Sequence, residues 1–190
     1  MALHLAQDAA ADKFLDRDHL GLLIGMLLDQ QFPMERAFGS PHLLAQRLGV
    51  KRLDARQLAR HDPEDLRRVF TGPPALHRFP GAMAARVQAL CQLLVDNYAG
   101  DAATLWSTAD SGTELLARVE ALPGFGAQKA RIFVALLGKQ LRVRPAGWRE
   151  VAGAYGEDGA HRSVADVTGP DSLAAVREHK RSVKAAAKKG

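Results

Sequence analysis

Apolar residues along this chain recur mostly three and four positions apart, the repeat of one helical face, and the strict alternation of a half-buried strand is scarce. Asp18 can cap a helix carrying Leu20, Leu22, Leu23, Ile24, Met26, Leu27 and Leu28. That helix is apolar nearly all round, which predicts a central buried element. Pro33 opens a short helix with Met34, Ala37 and Phe38, and Pro41 opens another with Leu43, Leu44 and Leu48, closed by Gly49. Asp54 caps residues 55–60. Asp62-Pro63-Glu64-Asp65 then combines a cap, a first-turn proline and acids near the positive end of a helix dipole.

Gly72-Pro73-Pro74 is a break. Pro80 opens a long helix with Met83, Val87, Leu90, Cys91, Leu94 and Val95, ending near Gly100, and residues 101–106 and 113–121 give two more. A helix from about Ala127 to Gln140 carries Ile132, Phe133, Leu136 and Leu137 on its apolar stripe; Trp106 and Phe79 read as core. After Arg142 the texture changes. Residues 144–169 are rich in glycine and charge, with short strand-like pieces, and a basic helix from Asp171 to Ala187 ends in Lys188-Lys189-Gly190. The pattern predicts an all-α protein.

Composition narrows this picture. A chain of 190 residues suits one compact domain or two small lobes sharing a cleft, and 47% apolar content excludes wholesale disorder. The formal charge of +5 favours a polyanionic partner. The single cysteine, Cys91, rules out a disulfide framework and a four-cysteine iron–sulfur cluster within one chain. The histidines form no pair at helical ligand spacing, so no metal site is expected. Residues 1–12 lack a signal-peptide pattern, and the run Leu20–Leu28 is too short to span a membrane. The expectation is a soluble, monomeric, cytoplasmic protein, nucleoid-associated if bacterial.

The candidate chemistry lies at Leu122-Pro123-Gly124-Phe125-Gly126-Ala127-Gln128-Lys129-Ala130, between two helical patterns. Pro123 stiffens the entry. Gly124 and Gly126 permit positive φ and let a phosphate approach the backbone without a Cβ clash. The helix that starts there adds unpaired N–H groups and the positive end of its dipole, which together make an anion grip. Phe125 is expected to pack back between the helices, and Lys129 and Arg131 to add charge.

This stretch resembles the helix-hairpin-helix motif. With Leu28-Asp29-Gln30-Gln31 ending an early helix and Ala85-Arg86-Val87 on the long helix before the hairpin, residues 18–143 resemble the helix-hairpin-helix DNA glycosylases of base excision repair. The resemblance implies a two-lobed, all-α, glycosylase-like fold with a short irregular C-terminal segment. Residues 1–143 would form the core, with the hairpin at about 119–140. Residues 144–190 would supply a glycine-rich loop and the basic helix packing on that core. Pro123, Gly124, Phe125, Gly126, Ala127, Gln128 and Lys129 would bind one strand of double-stranded DNA containing a damaged base, while Gln30 and Gln31 probe the base stack. The hairpin carbonyls could hold a monovalent cation; no other cofactor is implied.

Two positions depart from the family pattern. Members that also cleave the strand carry a lysine at the seventh hairpin position, counted from its leucine. Here that position is Gln128, and Lys129 lies roughly a third of a turn further round the helix, so no lyase step is expected. The family's catalytic aspartate follows the second hairpin helix in a glycine- and proline-rich loop. The matching loop is Arg144-Pro145-Ala146-Gly147-Trp148, the aspartate's place falls near Trp148, and no acid lies between Glu120 and Glu150. Glu150 and Asp29 are therefore the candidate catalytic acids, and Trp148 a candidate to stack on an extruded base. Besides an unrelated helical protein with no DNA role, two functions stay open. One is a monofunctional N-glycosylase that hydrolyses the glycosidic bond of a damaged base. The other is a non-catalytic protein that recognises damaged or distorted DNA with the hairpin alone.

Overall fold

A computed structural model describes residues 2–187; Met1 and the Lys188-Lys189-Gly190 end of the predicted basic tail lie outside the described residues. The described chain is helical: α1 (Ala9–Leu15), α2 (His19–Leu28), α3 (Met34–Arg47), α4 (Ala55–Arg60), α5 (Pro63–Thr71), α6 (Pro80–Tyr98), α7 (Ala102–Ser107), α8 (Gly112–Glu120), α9 (Ala127–Gln140), α10 (Trp148–Ala152) and α11 (Pro170–Ala187). A lone β-bridge joins Ser111 and Ala146.

α2 is the centre, buried from Leu20 to Leu28 and packed on α1, α3, α6 and α7. Gly25 makes one of these contacts possible: a Cβ there would lie 2.6 Å from the Phe38 ring of α3. Asp18 does more than cap. One carboxylate oxygen accepts the Gly21 N–H (2.7 Å) and the other the Leu53 N–H (2.7 Å), which ties the loop before α4 to the start of α2.

Pro41 does not open a new helix. It lies inside α3, which runs unbroken through it. A proline inside a helix costs about 3 kcal/mol, and here burial of Phe38, Pro41, Leu44 and Ala45 on one stripe offsets that loss. The extra N-terminal helix, α1, is set by Asp8, which accepts the Ala11 N–H.

The stretch 144–169 contains no strand. It folds as α10 and two 3-10 turns, Gly153–Gly156 and Val164–Asp166, laid against α9. Two polar residues at the end of α9 hold it there. The buried Gln140 amide donates to the carbonyls of Ala165 (3.0 Å) and Val167 (3.2 Å). Lys139 pairs with the buried carboxylate of Asp166 at 2.5 Å, and the other oxygen of that group accepts the N–H groups of Arg162 and Ser163. α11 then docks through Leu173 and Val176.

Candidate nucleic-acid interface

The turn between α8 and α9 is closed by the Phe125 N–H donating to the Leu122 carbonyl (3.1 Å). Pro123 and Gly124 occupy its centre, and Gly124 has φ +81°, the left-handed value that suits glycine. Gly126 differs from expectation: its φ is −90°, open to any residue, and a Cβ there would meet nothing within 4 Å. What Gly126 provides is open approach. It stands at the N-cap of α9 with no side-chain cap and no acid in the first turn, and Gly126, Ala127 and Gln128 are exposed. The first-turn N–H groups of α9 therefore face solvent beside the positive end of its dipole. Phe125 packs inward, edge-on to Phe133.

Lys129 does not point away from this site. Its ammonium donates to the carbonyls of Met26 (3.0 Å) and Leu27 (2.9 Å) at the C-terminal end of α2. Those oxygens lack helical partners and carry the negative end of the α2 dipole, so the lysine clamps the two helices together. Burial, with a smaller push from Arg86, lowers the amine to about 8, against the attraction of Asp29.

A cleft of about 860 Å³ opens beside this clamp. Its walls include Asp29, Gln30 and Gln31 from the end of α2, Gln128, Lys129 and Arg131 from α9, and Tyr155 and Arg162 from the segment after it. Asp29 is the only carboxylate among the described residues that line it. Burial raises its pKa; Lys180 and then Lys129 pull in the other direction. Gln30 is held rather than free: its amide donates to the Leu27 carbonyl (2.8 Å) and accepts from Arg86 (3.2 Å). Gln31, at φ +51°, carries the strained backbone turn that leaves its side chain exposed. Gln128 donates to the Tyr155 hydroxyl (2.8 Å), joining the hairpin to the far wall.

The other candidates fall elsewhere. Glu150 is exposed on α10, outside the lining of the cleft. Trp148 is buried, and its ring lies in a slot over Gly138 of α9, where a Cβ would come within 2.3 Å of it. It is therefore a core residue and has no face to offer a base. The reverse correction applies to Phe79, which is not core but 45% exposed, with the Arg78 guanidinium near its ring.

His77 escaped the sequence reading altogether. Its buried ring accepts the Phe79 N–H at Nδ1 (3.0 Å), which leaves the proton on Nε2 to donate to the Gln30 carbonyl (3.0 Å). Burial lowers its pKa, so the neutral ring pins the 77–79 loop beside the end of α2. A lone histidine next to an apolar run carries no sequence signal for this role. Tyr155 carried a faint one, as the aromatic in Gly153-Ala154-Tyr155-Gly156.

A monovalent cation at the hairpin would be held by main-chain carbonyls. That of Leu122 accepts the Phe125 N–H and that of Gly126 the Ala130 N–H (2.9 Å). Comparison with known protein families, curated proteins and solved structures finds no match to this chain.

Proposed function

We propose that this protein is a DNA-binding base excision repair enzyme, a monofunctional N-glycosylase with the two-lobed architecture of the helix-hairpin-helix glycosylases. The observation that carries the reading is the placement of Asp29: a single carboxylate inside a cationic cleft, one residue beyond the helix end on which the glycine hairpin is clamped. The exposed N–H groups at Gly126, Ala127 and Gln128 would hold the phosphates of one strand without reading its sequence. Gln30 beside Gly124, Gln31 at the cleft and the exposed ring of Phe79 would take up the gap in the stack as a damaged base turns into the cleft.

In the reaction the bond between base and sugar C1′ breaks, its electron pair leaves with the base, and positive charge develops on the sugar. The Asp29 carboxylate would stabilise that charge, and water would add at C1′ and give up a proton. Lys180 and Lys129 favour the ionised form this step requires. Lys129 itself is committed to two carbonyls at the end of α2, which disfavours its attack on a sugar carbon as a Schiff-base amine.

One observation favours the non-catalytic reading: the segment after α9 brings Tyr155 and Arg162 to the cleft, but no acid. The discriminating experiment incubates the purified protein with duplexes carrying uracil, alkylated or oxidised bases, followed by alkali. Lesion-dependent cleavage that disappears in Asp29→Asn is the expected result. Tight binding with no cleavage on any of them leaves the binding protein, and no binding at all removes both readings.

A further inference from the structure

The stripe of α11 that faces the protein changes character along its length. Leu173 and Val176 are buried, and Arg177 pairs with Glu35 of α3 beside them. Continued at helical spacing, the same stripe becomes Lys180, Val183 and Lys184, which no longer meet a core but form the outer wall of the cleft. The residues from 180 to 187 are exposed. Lys129, Arg131 and Arg162 line the same cleft, Lys129 held by two α2 carbonyls and Arg162 paired with Glu157, so cationic groups from α9, the segment after it and α11 gather around a single carboxylate. Off the stripe, Arg181 is paired with Glu178, whereas among the described residues no carboxylate lies within ion-pair distance of Lys180 or Lys184.

Asp29 attracts Lys180 and Lys129, but one carboxylate offsets only part of the positive charge gathered in the cleft, and a polyanion lying in it relieves the remainder. We propose that the distal half of α11 is a second phosphate-contacting arm, which closes on the backbone of the nucleic-acid strand whose other flank the hairpin holds. The occupant is a phosphodiester chain, because its charges repeat along the cleft as the lysines do along the helix. α11 is anchored at its base by core contacts, so its end can accommodate the strand without disturbing the fold. This inference rests on the nucleic-acid reading above.

The test is fluorescence anisotropy of a short labelled duplex over a salt series, with four proteins: wild type, Lys180→Gln/Lys184→Gln, Arg181→Gln and the hairpin variant Gly126→Glu. The double variant should bind about tenfold more weakly and reduce the log–log salt slope by about 1.8, the counterion release of two phosphate contacts. Arg181→Gln should change little, and unaltered melting temperatures show that the fold is intact. If the double variant matches wild type in affinity and slope while Gly126→Glu loses binding, the arm is refuted and the hairpin reading survives. Tighter binding by the double variant also refutes the arm, since α11 would then obstruct the cleft. If wild type binds an acidic peptide but no duplex, both proposals fall.

Discussion

Gly124 sits directly against Leu27: a methyl group added to it would lie 2.5 Å from Leu27 Cδ1, in a residue whose φ is already +81°. The tip of the hairpin is therefore seated on the end of α2, and its two glycines have different duties. Gly124→Ala should destabilise the fold by about 1–3 kcal/mol through backbone strain and crowding. Gly126→Ala should stay within about 0.5 kcal/mol of wild type yet weaken duplex binding. Thermal melts beside binding titrations separate the two; equal melting temperatures would show that Gly124 is not seated as described.

Asp29 is held at a cost to stability. Because burial raises its pKa, the native protein resists an ionisation that the unfolded chain undergoes freely above the ordinary value of 3.8. That difference subtracts from stability at neutral pH. Asp29→Asn should melt higher than wild type at pH 7, with the gain shrinking as pH falls towards that value. The same change should lower base release by roughly 10²-fold or more, the scale of removing one preorganised charge-stabilising group. A variant that keeps full activity excludes Asp29 from the chemistry.

Lys129 gives a pH signature of opposite sign. Its amine titrates at about 8 in the native protein against an ordinary 10.5. Between those values the unfolded chain keeps a proton the native state has lost, so raising the pH through the window adds stability. Lys129→Met lacks this term. The stability of wild type relative to the variant, measured by urea unfolding, should rise from about pH 8 to pH 10.5. A flat difference would mean the amine is solvated.

Trp148 and Glu150 should behave as structural and surface residues. Trp148→Ala empties the slot over Gly138 and should cost about 3–5 kcal/mol, the usual price of deleting a buried aromatic ring. Glu150→Gln should leave base release within twofold or so of wild type, since exposed substitutions of this kind act weakly. An inactive, fully stable Glu150→Gln would return that residue to the site.

The pair of Lys139 with Asp166 pins the segment that brings Arg162 to the cleft. Asp166→Ala leaves the half-buried Lys139 ammonium without its partner and the Arg162 and Ser163 N–H groups without their acceptor, and should cost about 3 kcal/mol, a fall in melting temperature of roughly 6–12 °C for a chain of this size. Limited proteolysis should then cut first between α10 and α11. Protection equal to wild type would show that other contacts hold the segment.

Much of the helical framework was legible because each signal is local. Asp18, Asp54 and Asp62 do cap helices, and the all-apolar run after His19 is the buried centre. Pro41 misled because a proline's local cost can be outweighed by the apolar face its helix buries, and burial is not a local quantity. Residues 144–169 misled for a related reason: Gln140 and Lys139 organise them from a neighbouring helix.

The sequence by itself determined the helices, their caps, the glycine turn and the cationic excess, since those depend on backbone preference and composition within a few residues. Only the tertiary structure decided which groups meet. It turned Lys129 onto the end of α2, buried Trp148 in the groove left by Gly138, exposed Phe79, left Glu150 outside and Asp29 inside the cleft, and brought the end of α11 to its lining. The reason is geometric: each of those outcomes depends on packing between elements far apart in the chain, where the free energy of burial, rather than any local preference, chooses the partner.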